Sequence, residues 1–292
     1  MVQMCPMVPV GGTLGRIRVG VSGWSYDSWR GDFYPPDLPR KQWLSWIAQR
    51  FDTLEANGSF YSLLSPSTYH AWYEQTPRDR RVALKGSRFI THNKKLGNAR
   101  VALANFLASG ILALREKLGP ILWQLSSRQV FDCERLESFF TLLPRDTRAA
   151  AELASEHDER VAEPFLAGEP NHRMRHVLEP RHPSFFRPDA VQVLRRARVA
   201  LAVSHAGRWP MHEEITAGYM YVRLHGAPDT YASGYTDEQL AAWARKIRAW
   251  SREGDVYVYF DNDARGHAPF DAERLTRQLD ARDQSSARNA SC

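Results

Sequence analysis

The stretch YMYVRLHG, Tyr219 to Gly226, opens on a strand-like apolar run and ends in an arginine and a histidine. Its apolar part, Tyr219 to Leu224, is continuous rather than alternating, as expected of a parallel strand covered on both faces. Seven other runs share that character: Ile17 to Val21, Phe51 to Leu54, Val82 to Leu84, Pro120 to Leu125, His176 to Leu178, Val199 to Val203 and Val256 to Phe260. Polar clusters follow the downstream ends of most of them, so one pocket built from many strand ends is the expectation.

Helix-like stretches separate the runs. They lie at Lys41 to Arg50, Pro66 to Gln75, Ala99 to Lys117, Cys133 to Leu142, Asp189 to Arg198, Glu238 to Arg252 and Phe270 to Asp283, with a short one at Met211 to Ala217. Ser65 before Pro66, and Thr236 with Gln239 three residues on, read as helix caps. Eight strands alternating with helices predict a (β/α)8 barrel of the TIM type, and 292 residues suit one such domain. Its expected limits are residues 16–283, after a disordered leader at 1–15 and before a frayed tail at 284–292. An insertion near 147–171, a helix-prone segment followed by a Pro, Gly and Asn loop, should pack beside the fourth and fifth strands.

Composition narrows the class. The chain is 43% hydrophobic and 25% charged, with 39 basic against 33 acidic residues and a net charge of +6. That favours anionic partners, a small molecule or a nucleic acid, without concentrating charge in a tail. Cys5, Cys133 and Cys292 are too few and scattered for a disulfide framework or thiolate metal site, so a reducing cytoplasm and no disulfide-linked partner are expected. No apolar run has the length of a membrane span.

In a parallel barrel the strands' carboxyl ends open on one face, where side chains distant in sequence converge. Glu55 ends the second strand and Lys85 the third; the two either form a structural ion pair or tune each other's proton affinity. Asn57 and Tyr61 follow Glu55, and Arg88 and His92 follow Lys85, where solvation or backbone bonding competes with a substrate role. Glu179, Arg181 and His182 follow the fifth strand, on a loop stiffened by Pro180 and Pro183. Arg223 and His225 end the seventh and could grip phosphate or carboxylate. Asp261, Asn262 and Asp263 could ligate a divalent cation but read more readily as a turn. His205 reads as a satisfied loop histidine. Trp24 and Tyr26 crowd the first loop with Trp29, Phe33 and Tyr34; Trp29 and Phe33 read as rim plugs, and Tyr26 and Tyr61 face the polar pocket. No GxGxxG, Walker, HExxH or GxSxG motif is present.

Six motifs, GVSGWSY at Gly20, LEANGSFY at Leu54, LKGSRFITH at Leu84, LEPRHPSF at Leu178, YVRLHG at Tyr221 and YVYFDNDARGHA at Tyr257, together resemble the YecE-like family, domain of unknown function 72. The resemblance spans about Gly20 to Leu275 and implies a TIM barrel without supplying a reaction. It carries over to Gly23, Trp24, Tyr26, Glu55, Asn57, Tyr61, Lys85, Arg88, His92, Glu179, Arg181, His182, Arg223, His225, Asn262 and Asp263. Asp261 departs from the family's usual Asn, and Ser204-His205 stands where an Asp is common.

Three functions follow as expectations. The first is hydrolysis of a phosphoester or nucleic acid, with Arg181 and Arg223 holding the anion, Glu55 or Glu179 activating water, and a divalent metal left open. The second is a sugar isomerase or lyase using Lys85. The third is a non-enzymatic barrel that binds nucleic acid or a metabolite. In these readings Glu55, Lys85, Glu179, His182 and His225 are the catalytic candidates, and the other motif residues from Trp24 onward bind substrate.

Overall fold

Eight parallel strands close on themselves: β1 (Ile17–Ser22), β2 (Thr53–Ala56), β3 (Arg81–Lys85), β4 (Leu118–Gln124), β5 (His176–Glu179), β6 (Ala200–His205), β7 (Tyr219–Leu224) and β8 (Asp255–Phe260), with β8 pairing back onto β1. The computed structural model describes residues 14–207 and 209–289. The expected leader lies outside the described residues as far as residue 13. Gly15 is anchored, its amide donating to the Ser251 carbonyl at 2.7 Å.

Helices α1 (Trp43–Ala48), α2 (Gly58–Tyr61), α3 (Pro66–Gln75), α4 (Arg100–Ala108), α5 (Cys133–Leu142), α6 (Thr147–Ala154), α7 (Pro188–Ala197), α8 (Asp237–Trp250) and α9 (His267–Asn289) alternate with the strands. The capping box of α8 forms as its spacing predicts: the Thr236 hydroxyl accepts from the Gln239 amide, and the Gln239 side chain accepts from the Thr236 amide. Ser65 instead spends its hydroxyl on the side chains of Ser67 and Thr68.

Two segments differ from expectation, and two more are placed by the structure. The stretch 211–217 forms no helix; Thr216 ties it to the sheet, accepting from the Leu201 amide and donating to the Val199 carbonyl. Ala99 to Lys117 is two helical pieces, because Gly110 turns the chain at φ 121° beside Pro66 and Tyr69, where any Cβ would collide. The last helix continues to Asn289, through part of the expected tail. The segment from Thr147 packs against α4, held by Asn105 to Asp158 and Phe165 to Ala108 hydrogen bonds.

Two apolar layers fill the space between barrel and helices, and a third cluster fills the barrel itself. In that interior Tyr219, Tyr221, Tyr257 and Tyr259 face the small Ala83, Ala200 and Ala202. Large rings from β7 and β8 need small residues opposite to keep interior density. Gly20 on β1 belongs to the same economy: a Cβ there would lie 1.7 Å from the Thr53 carbonyl oxygen. Gly20→Ala should therefore cost about 3 kcal/mol or more, measured by urea denaturation. An unchanged midpoint would contradict so close an approach of β1 to β2.

Candidate active site at the carboxyl end of the barrel

Strand alternation sends every second side chain inward, and at the last inward position several strands deliver a polar group. Arg223 from β7 occupies the axis and is 1% exposed. Its Nε and Nη2 donate to the two oxygens of Glu55 at 3.0 and 2.7 Å, and Nη2 also reaches Asp261 Oδ2 at 2.8 Å. Its Nη1 donates to Glu179 Oε2 at 3.1 Å. Hydroxyls complete the arrangement: Ser22 and Tyr221 donate to Glu55, each at 2.6 Å, and Ser204 donates to Glu179 at 2.5 Å. His225 Nδ1 lies 2.9 Å from Asp261 Oδ2 without a hydrogen bond's alignment, and its Nε2 lies between Arg223 Nη1 at 3.3 Å and Glu179 Oε1 at 3.5 Å.

Three carboxylates thus surround one guanidinium, with Glu55 and Glu179 both 0% exposed. Burial alone pushes the Glu179 carboxyl upward, but Arg181 and Arg223 override it and hold the group well below the usual range. Asp261 is likewise held at about 2, burial being outweighed by Arg223 and His225. Each guanidinium nitrogen of Arg223, expected to grip a substrate anion, already donates to a carboxylate. Glu55 and Glu179, expected to activate water, are closed off from solvent and bonded to Arg223 and to hydroxyls.

Lys85 closes β3 differently. It is partly exposed, and its Nζ lies 4.5 Å from the centre of the Phe60 ring with no hydrogen bond or ion pair among the described residues. Burial, and then Arg223, push its pKa down against the pull of Glu55, Glu179 and Asp261. Of the two alternatives for Glu55 and Lys85, the ion pair does not form, Glu55 being engaged by Arg223, while Glu55 still acts on the proton affinity of Lys85 from a distance. Gly86, the next residue, passes so close to Trp123 that a Cβ would sit 2.3 Å from its ring.

Other basic side chains gather near this amine. His92 is pushed down by burial, then by Arg88, Lys85 and Arg181. Arg181 donates to Glu179 at 2.9 Å, stacks its guanidinium 3.3 Å from the centre of the Trp209 ring, and leaves Nε buried without a partner. On the opposite side Trp24, Tyr26, Asn57 and Trp72 line a cavity of about 300 Å³. There Asn57 donates to Ser22 at 3.0 Å and keeps a buried, unpartnered Oδ1, while Tyr26 donates to the Ser22 carbonyl. Tyr61 is 73% exposed at the rim, packed edge-on to Phe60.

Two sequence candidates belong to the scaffold. His182 Nδ1 accepts from the Ser184 amide and pairs with its hydroxyl, capping the turn Pro183–Phe186. Asn262 points away from the barrel axis and donates to Asp271 and the Ser233 carbonyl. Asp263 remains at the rim beside Tyr26, its carboxyl pushed up by burial and by Asp261. Asp263 opens a turn that runs to Gly266, with the Gly266 and Ala268 amides donating back to the Asp263 and Asn262 carbonyls. Among the described residues, no three or more His, Cys, Asp or Glu are arranged to hold a metal ion. His205 is satisfied by the Tyr235 hydroxyl, and Trp29 and Phe33 are buried rim plugs, as expected. Sequence reasoning missed Ser22 and Tyr221 and named Ser204 only as a departure from the family pattern, although each lies at the inward spacing of its strand. It also missed Trp209 and Tyr231, loop rings that close edge-on over His225 and carry no local signal.

Removing the guanidinium strands three buried carboxylates. Arg223→Met should destabilise the fold by about 3–5 kcal/mol at neutral pH. The sign with pH follows from the lowered carboxyls. In the native protein Glu179 and Asp261 contribute stability above their unfolded values, and that contribution is lost as pH falls through the folded ones. The deficit of the variant should therefore shrink on acidification, as its carboxylates protonate and the native advantage disappears. Chemical denaturation of both proteins between pH 7 and about 3 measures this, and a deficit independent of pH would contradict it.

Comparison with known proteins agrees with this architecture. A YecE protein of Escherichia coli K12, described as UPF0759 protein YecE, is 23% identical over 260 residues, 87% of this chain and 89% of its own length. A solved DUF72 protein of Thermotoga maritima superposes with a TM-score of 0.71 at 22% identity, covering 91% of this chain and 99% of that one. One from Enterococcus faecalis gives 0.65 at 17% identity, covering 91% and 98%. The family described as "Protein of unknown function DUF72" matches residues 18–291, and the chain belongs to that family.

Proposed function

We propose that the carboxyl-end mouth is an active site for a small anionic, phosphorylated carbonyl compound, with Lys85 as the reacting amine. The observation that carries this reading is the state of Lys85: partly exposed, unpaired and depressed, beside three carboxylates that are all engaged by Arg223. An amine with a lowered pKa is unprotonated for a larger share of the time, and so serves as nucleophile or base near neutrality. Arg88 and Arg181 supply positive charge and donors for the substrate anion, and His92, whose proton affinity they lower, stands beside them as a neutral ring. In the covalent form of the reaction, Nζ adds to the carbonyl carbon and the carbonyl oxygen leaves as water, giving an imine. In the non-covalent form, Nζ removes a proton from the carbon beside the carbonyl. Either suits an isomerase or lyase.

Phosphoester hydrolysis is the second reading, favoured by Asp263. Its carboxyl, raised by burial and by Asp261, lies at the rim rather than in the Arg223 network and could serve water activation where Glu55 and Glu179 cannot.

Borohydride reduction distinguishes the two. Treated with phosphorylated aldehydes and ketones, the protein should gain mass on the peptide carrying Lys85, and Lys85→Met should not. Turnover of a trapped compound should fall by on the order of 10² to 10⁴ in that variant. Equal labelling of Lys85→Met would contradict imine formation, and undiminished turnover would remove Lys85 from the chemistry altogether.

A further inference from the structure

The opposite, amino-terminal end of the barrel holds a second polar cavity, of about 230 Å³. Arg18, the second residue of β1, points into it from the barrel interior and is only 6% exposed. Its Nε and Nη1 are buried and have no hydrogen-bond partner, and the side chain forms no ion pair among the described residues. A buried guanidinium left in this state is costly unless something outside the polypeptide completes it.

Charge decides what that partner is. Arg81, Arg115, Arg173 and Arg175 also line the cavity, with His172 contributing a further buried, unpartnered Nε2. The lining acids are Asp255 and Glu116, and both are occupied. Asp255 accepts from Arg175 at 2.7 Å and from the Arg16 amide at 2.9 Å, and Glu116 accepts from the Tyr73 hydroxyl at 3.1 Å. Five arginines against two committed carboxylates leave an excess of positive charge, which water would solvate without neutralising. The cavity lies below the ~300–1,000 Å³ of sites for larger ligands, so the fitting guest is compact.

We propose that this end of the barrel binds a phosphate-class oxyanion, free phosphate or a small phosphomonoester, through Arg18. Arg18 supplies the unpartnered donors at the base, Arg81 and Arg175 flank it, and Arg115 and Arg173 stand at the exposed lip. Guanidinium groups match the geometry of such an anion and form charge-assisted hydrogen bonds to it. The site lies at the other end of the barrel from Lys85 and is independent of the chemistry proposed there.

Calorimetric titration at constant ionic strength tests the assignment, with inorganic phosphate and glycerol phosphate run in parallel against a chloride control. The wild type should bind at least one of the two saturably, and the tighter ligand identifies the source. Arg18→Met should weaken that binding by at least about tenfold, the loss expected for a charge-assisted hydrogen bond. Because this variant removes an unpaired buried charge, its thermal midpoint in phosphate-free buffer should not fall. Arg173→Gln, at the exposed lip, gives a second reading without disturbing the core and should also weaken binding. Lys85→Met should bind as the wild type does. Absence of saturable binding, affinity within about twofold of wild type in both arginine variants, or loss of binding in Lys85→Met with retention in Arg18→Met would overturn the proposal.

Discussion

One guanidinium organises the functional end of this barrel. Arg223 is buried on the axis, and carboxylates from β2, β5 and the end of β8 converge on it. Such a cluster contributes little net stability compared with an apolar filling, because desolvating four charges costs about as much as their attraction returns. Its consequence is positional. Each carboxylate is tied to Arg223, and Glu55 and Glu179 to hydroxyls as well, so several strand ends are held in one register by bonds that cannot be broken singly without leaving a buried charge.

That arrangement sets the chemistry of the mouth by subtraction. Glu55 and Glu179 are the acids one would choose as bases, yet both are closed off and fully bonded. Lys85, whose natural partner would be Glu55, is left without one, and the positive charge of Arg223 together with burial lowers its proton affinity. The unpaired amine and its neighbours Arg88, His92 and Arg181 then form the reachable part of the site. The amino-terminal end shows the converse situation. There an arginine is buried without enough acids, and the deficit points to a ligand rather than to a network.

Much of this was legible in the residues, and the parts that were not have a common cause. The strand Tyr219–Leu224 and the helices Pro66–Gln75 and Cys133–Leu142 have the limits their patterns predict, since continuous β-branched or aromatic runs, proline starts and local caps are short-range signals. The segment 211–217 was misread because its helical composition is overruled by Thr216, whose bonds to Val199 and Leu201 depend on tertiary placement. The convergence of Glu55, Lys85, Glu179 and Arg223 at one end follows from parallel topology and could be read in advance. Which acid pairs with which base could not, because the pairing depends on how far each side chain reaches across the barrel. His182 and Asn262 show the same limit: both sit at strand ends, and each turns to cap or brace its own loop.

The central claim is that Arg223 takes up the carboxylates and leaves Lys85 a depressed, unpaired amine. The most direct measurement is the titration of the Lys85 side chain by NMR in the intact protein, assigned by comparison with Lys85→Met. The account predicts a midpoint clearly below the ordinary lysine value of about 10.4, separated from the surface lysines. A Lys85 resonance that titrates together with those surface lysines, or above them as in a salt bridge with Glu55, would contradict it.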